Sequence, residues 1–154
     1  VAEFVRHQDE DEAEHQARFE QVTGLKARER EALPKMPRQW HACAVRLLGY
    51  EALGYEFAQL ALAATTGAVR EMIAEILKDE SEHVRFYEEA LHKVLSQGGG
   101  KAQDTRHLAA AFLRRLPQTV DRYLKGADLD VHREAVLKGV EDRFVRLGFR
   151  IASA

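Results

Sequence analysis

Apolar residues recur at helical spacing along nearly the whole chain, and no stretch alternates apolar and polar as a half-buried strand would. The first segment, 2–22, sets Phe4, Gln8, Glu12, His15, Phe19 and Val22 on one stripe, with Gly24 as its stop. The charged connection LKAREREALPKMPR follows, and Pro34 and Pro37 argue against one continuous helix through it. A second segment, 38–64, carries Ala44, Leu48, Glu51, Tyr55, Ala58 and Leu62 on one face. TTGA at 65–68 is a short turn, so the third segment, 68–96, is expected to fold back antiparallel. That segment aligns Met72, Ile76, Glu80, His83, Tyr87, Leu91 and Val94. SQGGGKAQD reads as a flexible break. A fourth segment then starts near Asp104 as N-cap and carries Leu108, Phe112 and Leu116 until Pro117 interrupts or kinks it. A last helix over 129–148 presents Leu129, Val136, Val140, Phe144 and Leu147. The expected class is all-α.

Composition narrows the picture. A chain of 154 residues is one domain's length and can bury a core without staples. The formal net charge of −2 counts against a nucleic-acid partner recruited by a basic field. The single cysteine, Cys43, excludes an intrachain disulfide and points to a reducing compartment. Its neighbours Ala42 and Ala44 suggest a small packing role for it. No run of about twenty apolar residues is present to span a membrane, and the opening VAEFVRHQ lacks the apolar segment of a signal peptide. The expected location is cytoplasmic.

The chemistry lies in a near-repeat. DEAEH occupies 11–15 and DESEH occupies 79–83; an aromatic ring and a glutamate follow each, Phe19-Glu20 and Tyr87-Glu88. Glutamate and histidine three apart project from one face of a helix. That face is the apolar one in both copies, and Glu51 interrupts the apolar stripe of the helix between them. An isolated buried charge costs on the order of several kcal/mol, so ordinary amphipathic helices turn carboxylates outward. Three inward glutamates repel one another unless cations join them. Residues equidistant from TTGA should lie level, which sets Glu51 against Glu80; Glu56, the competing choice, pairs with Leu77. Carboxylate and imidazole ligands without thiolate suit iron, or manganese, over soft metals. Carboxylates bridging between helices hold two ions about 3.5–4 Å apart, a pairing suited to O₂ and redox chemistry.

Glu12-x-x-His15, a lone Glu51 and Glu80-x-x-His83 resemble the ligand set of the ferritin-like di-iron carboxylate superfamily. DEDEAEHQARFEQV is similar to a core helix of demethoxyubiquinone hydroxylases, and DESEHVRFYEEAL to one in tRNA hydroxylase and rubrerythrin branches. The resemblance implies an up-down helical bundle over 1–97, a Gly-rich linker at 98–103, and covering helices of the same domain over 104–154. It implies two iron ions on Glu12, His15, Glu51, Glu80 and His83. By the same resemblance Asp11 holds His83 and Asp79 holds His15, since a ligating imidazole usually gives its other N–H to a carboxylate. Tyr87 and Tyr55 fall near the site. The implied activity is O₂-dependent oxidation or hydroxylation of an organic substrate, with a reductase as electron donor. Iron or peroxide handling of the rubrerythrin or ferritin kind is the alternative, and a metal-free helical interaction module is a second.

The set departs from the superfamily in lacking one helix. Glu51 precedes Glu80 by 29 residues, and the same spacing places a partner for Glu12 upstream of Val1. A trimmed first helix, another subunit, or a carboxylate such as Asp121 are the expected sources of the missing ligand. The covering helices either close a substrate pocket or form a homodimer face. His7, His41, His92, His107 and His132 read as surface or capping residues, and Trp40 as packing at a helix entrance.

Overall fold

The computed structural model describes residues 1–26, 35–124 and 130–149. Five helices fill them: α1 (Ala2–Thr23), α2 (Trp40–Ala64), α3 (Gly67–Gln97), α4 (Gly99–Leu124) and α5 (Asp130–Arg146). No strand occurs among the described residues, and the fold is all-α. No helix there is long and apolar enough to cross a membrane.

The α2–α3 hairpin is the frame. Thr65 and Thr66 are extended, and Gly67 takes φ +61, so the chain reverses within three residues and the two helices pack along their length. α4 lies against both, and α5 lies against α2 and α4. Their apolar stripes meet in one core of Ala44, Leu48 and Ala52, of Val84, Tyr87 and Leu91, of Leu116 and Val120, and of Val140 and Phe144. Each fully buried leucine or phenylalanine contributes about 1.5–3 kcal/mol. α1 is different. Its backbone approaches only α3, and it reaches α2 through side chains.

Several sequence expectations change. The expected break at 98–103 and the N-cap at Asp104 give way to a sharper turn, because Gly98 (φ +67) and Gly99 (φ +70) reverse the chain at once. α4 therefore begins five residues earlier, and Asp104 sits inside it. There its Oδ2 accepts from His41 Nε2 at 2.7 Å, so His41 is a buried partner rather than a surface residue. Pro117 does not end α4; buried Leu113, Leu116 and Val120 carry one apolar face through it. Phe19 and Val22, expected inward, are 41% and 38% exposed, because α1 has a neighbour on one side only. Within the charged connection, residues 27–34, with Pro34, lie outside the described residues, as does Leu129 of the last segment.

Close approach of α2 and α4 is set by Gly49. A Cβ there would stand 2.1 Å from the tip of the Phe112 ring, which is stacked on Phe144 at 5.7 Å and meets Tyr50 edge-on at 6.2 Å. Gly49→Ala gains helix propensity of up to about 1 kcal/mol but overpacks by about 1–3 kcal/mol. The expected net result is a lower urea midpoint with unchanged m-value, and an unchanged or raised midpoint would show that Phe112 is free to withdraw.

Candidate metal centre

α1 runs antiparallel to α3, and the pairings Gln8–Tyr87, Asp11–His83, His15–Asp79 and Arg18–Glu75 step regularly along both. The two near-repeat pentapeptides therefore face each other across one interface. His15 Nε2 donates to Asp79 Oδ2 at 2.9 Å, and His83 Nε2 donates to Asp11 Oδ2 at 3.2 Å. Each aspartate thus serves the histidine of the opposite helix.

Fixing Nε2 turns Nδ1 of both rings toward the glutamates. Both Nδ1 atoms are buried without a hydrogen-bond partner. His83 Nδ1 lies 3.4 Å from Glu51 Oε2, and His15 Nδ1 lies 3.9 Å from Glu80 Oε1. Ligand atoms of Glu12, Glu51, Glu80 and His83 all fall within 4.8 Å of one another, with His15 beside them. The side chains of Glu51 and Glu80 are only 11% and 10% exposed. Orphaned buried nitrogens are rare and demand an account. Two Nδ1 atoms turned into a carboxylate cluster leave a place where a proton or a metal cation can sit between ring and acids, and this donor set has the chemistry to hold a cation.

The hairpin register is shifted by about a turn from simple symmetry. Glu51 stands level with His83, while Gly54 faces Glu80, and its Cβ position is 3.6 Å from Glu80 Oε2. Glu56 points away to α5, against Gly139 and within 3.8 Å of Arg143. Neither Tyr50 nor Tyr55 hydrogen-bonds Glu51; Gln8 does. Tyr55 instead lies under the Arg143 guanidinium, 4.4 Å from ring centroid to Cζ, and its hydroxyl accepts from Gln59. Asp121, considered as an additional ligand, is paired with Arg133 between α4 and α5 and lies away from the cluster. Tyr87 is fully buried and donates to Gln8 Oε1 at 2.5 Å. Gln8 is the participant that sequence reasoning missed. Its place on the stripe one turn before Glu12 was the available signal, since a buried amide needs partners.

Electrostatics report the same crowding. Burial, then Glu51 and Glu12, push the Glu80 carboxyl up to about 8 from an ordinary 4.5. Burial opposes charge on His83, but Glu51 and Asp11, with Glu80, raise it to about 9. Burial, then Glu51 and Cys43, hold the Tyr87 phenol above its usual range. The crowded acids thus favour protons on Glu80 and His83.

Outside comparison adds no assignment. No protein-family model, curated protein or solved structure matches the chain.

The folded protein holds protons on Glu80 and His83 that the unfolded chain releases earlier. Their stabilisation is complete below the unfolded values and is lost as pH rises to the folded ones, over 4.5 to about 8 for Glu80 and 6.5 to about 9 for His83. Metal-free protein in chelator should therefore lose urea midpoint steadily between about pH 5 and 9. Glu80→Gln should flatten the lower part of that curve. A midpoint that rises over this interval would contradict the arrangement.

Proposed function

We infer that this chain is a ferritin-like, non-haem di-iron protein that activates O₂ to oxidise an organic substrate. The observation that carries the reading is the pair of buried, unpartnered imidazole nitrogens facing carboxylates, each ring braced from behind by the opposite helix's aspartate. Structural carboxylate–histidine pairs have no need to leave a buried nitrogen bare. Metal centres need it on every ligating ring.

Glu12, His15, Glu51, Glu80 and His83 would hold two ions, iron or, as a substitute, manganese. A bound iron pair supplies O₂ binding and two-electron oxidation. The chain's own residues do the rest. Asp11 and Asp79 fix the tautomer and orientation of the rings and raise their basicity. The α2–α3 packing, with Phe4 edge-on to His83 at 5.9 Å, limits water on that side. A surface cleft of about 470 Å³ lies on another face of α3, lined by Tyr55, Leu77, Lys78, Ser81, Glu82 and Arg85, and none of the five ligands lines it. Hydroxylation of a C–H bond by O₂ consumes two further electrons and two protons and releases water, so a reductase partner is required. With no electron donor and no organic substrate, the same centre would serve iron or peroxide handling.

Anaerobic titration with Fe(II), followed by mass-spectrometric metal counting, is expected to find about two ions per chain, with a higher unfolding temperature on loading. Glu80→Ala and His83→Ala should each weaken loading by about 10-fold or more. Fewer than about one ion per wild-type chain would replace this reading with that of a metal-free helical interaction module. O₂ uptake by the loaded protein that depends on an added organic compound separates the oxidase from the iron- or peroxide-handling reading.

A further inference from the structure

Gln8 is buried to 7% exposure on the α1 stripe, and its amide is used at both ends. Nε2 donates to Glu51 Oε1 at 2.6 Å, and Oε1 accepts from the Tyr87 hydroxyl at 2.5 Å. Tyr87 is 0% exposed and boxed by rings: Phe86 at 5.3 Å, Phe4 at 6.2 Å and Trp40 at 6.3 Å between centroids. The phenol cannot swing away, and against an amide oxygen it must donate. Turning the amide over would set its oxygen against a carboxylate oxygen. The sense of the amide is therefore fixed by Glu51, which can only accept, and the boxed Tyr87 hydroxyl donates to the amide oxygen that this leaves facing it.

The consequence falls on Glu51. Its Oε1 is held by Gln8, and Oε2 is the atom beside His83 Nδ1. We propose that Gln8 is a positioning residue: the Tyr87–Gln8–Glu51 chain reserves one carboxylate oxygen for hydrogen bonding and presents only the other to a metal ion. Glu51 would then bind an ion through Oε2 alone. This rests on the metal-centre reading above.

The near-repeat isolates the effect. Glu80 occupies the place in α3 that Glu12 occupies in α1, and the residue one turn before it is Ile76, which has no amide to give. Tyr87 likewise answers to Phe19, which is 41% exposed and has no hydroxyl. The amide–phenol chain is built on one side of the cluster.

Cobalt(II) is a suitable probe, since its visible absorption weakens as coordination number rises. Wild-type, Gln8→Leu and Tyr87→Phe proteins would be titrated with Co(II) anaerobically, with circular dichroism and thermal unfolding as controls. Gln8→Leu is expected to raise the dissociation constant by about 10- to 100-fold and to weaken the visible band as Glu51 turns to bind through both oxygens. Tyr87→Phe should shift the same band in the same direction by less. In metal-free protein, the Gln8 side-chain N–H signals in a ¹⁵N-correlated spectrum should be displaced from free-amide positions and protected from exchange. Tyr87→Phe should move them back, and this readout stands even where Gln8→Leu fails to fold. Wild-type binding with unchanged affinity and spectrum in both variants overturns the role of Gln8 and leaves the metal centre intact. An amide signal indifferent to Tyr87→Phe overturns it as well. Absence of Co(II) binding in the wild type removes the metal reading, and this inference with it.

Discussion

Three glutamates cannot share a buried site as three anions. Glu12, Glu51 and Glu80 come within 4.8 Å of one another and of His83, where Coulomb repulsion is poorly screened. Something positive must enter, and the metal-free protein answers with protons, one kept on Glu80 and a charge kept on His83. The remaining features of the site are arranged around that necessity. Both imidazoles turn Nδ1 toward the acids, and both aspartates stand behind the rings, further out toward solvent.

The same contacts decide how α1 is attached. The main core is shared by α2, α3, α4 and α5, and α1 contributes chiefly Phe4, stacked on Phe86 at 3.7 Å. Beyond Phe4, α1 is held by polar pairs: Gln8 with Glu51 and Tyr87, Asp11 with His83, His15 with Asp79, Arg18 with Glu75. The contacts that dock the helix are those that assemble the cluster. A cation bound among these groups would be paid back as folding free energy of α1, since ligand binding to the folded state alone adds to its stability.

What could be read beforehand follows from periodicity. A three-residue spacing fixes a shared face, so Glu12 with His15 and Glu80 with His83 were legible, as was the hairpin that brings Glu51 near them. The crossed aspartate pairing was reached only through resemblance; nothing in spacing alone chooses the opposite helix. Register within a turn was not legible: Glu51 stands level with His83, yet its carboxylate still meets that of Glu80, as loop symmetry set it. The start of α4 was misplaced because a glycine run reads as slack, whereas here Gly98 and Gly99 supply the positive φ of a tight reversal. Nothing in the sequence marks His41 as buried, because its partner Asp104 lies 63 positions away. Gln8 is not legible as a participant because an amide carries no charge to mark it. Burial of its two partners, a tertiary property, is what gives it weight.

The near-repeat is also less symmetric than it reads. His83 is 3% exposed by side chain and braced by Asp11 at 23%, whereas His15 is 9% exposed and braced by Asp79 at 48%. Glu51 accepts from a buried amide, and Glu80 faces the open backbone of Gly54. Tyr87 is packed inside and Phe19 lies on the surface. Hydrogen bonds and charge interactions strengthen as water is excluded, so the His83–Glu51 side is the stiffer and the His15–Glu80 side the more yielding. Two ions placed there would meet unlike surroundings, one held by a preorganised frame and the other by groups with room to move.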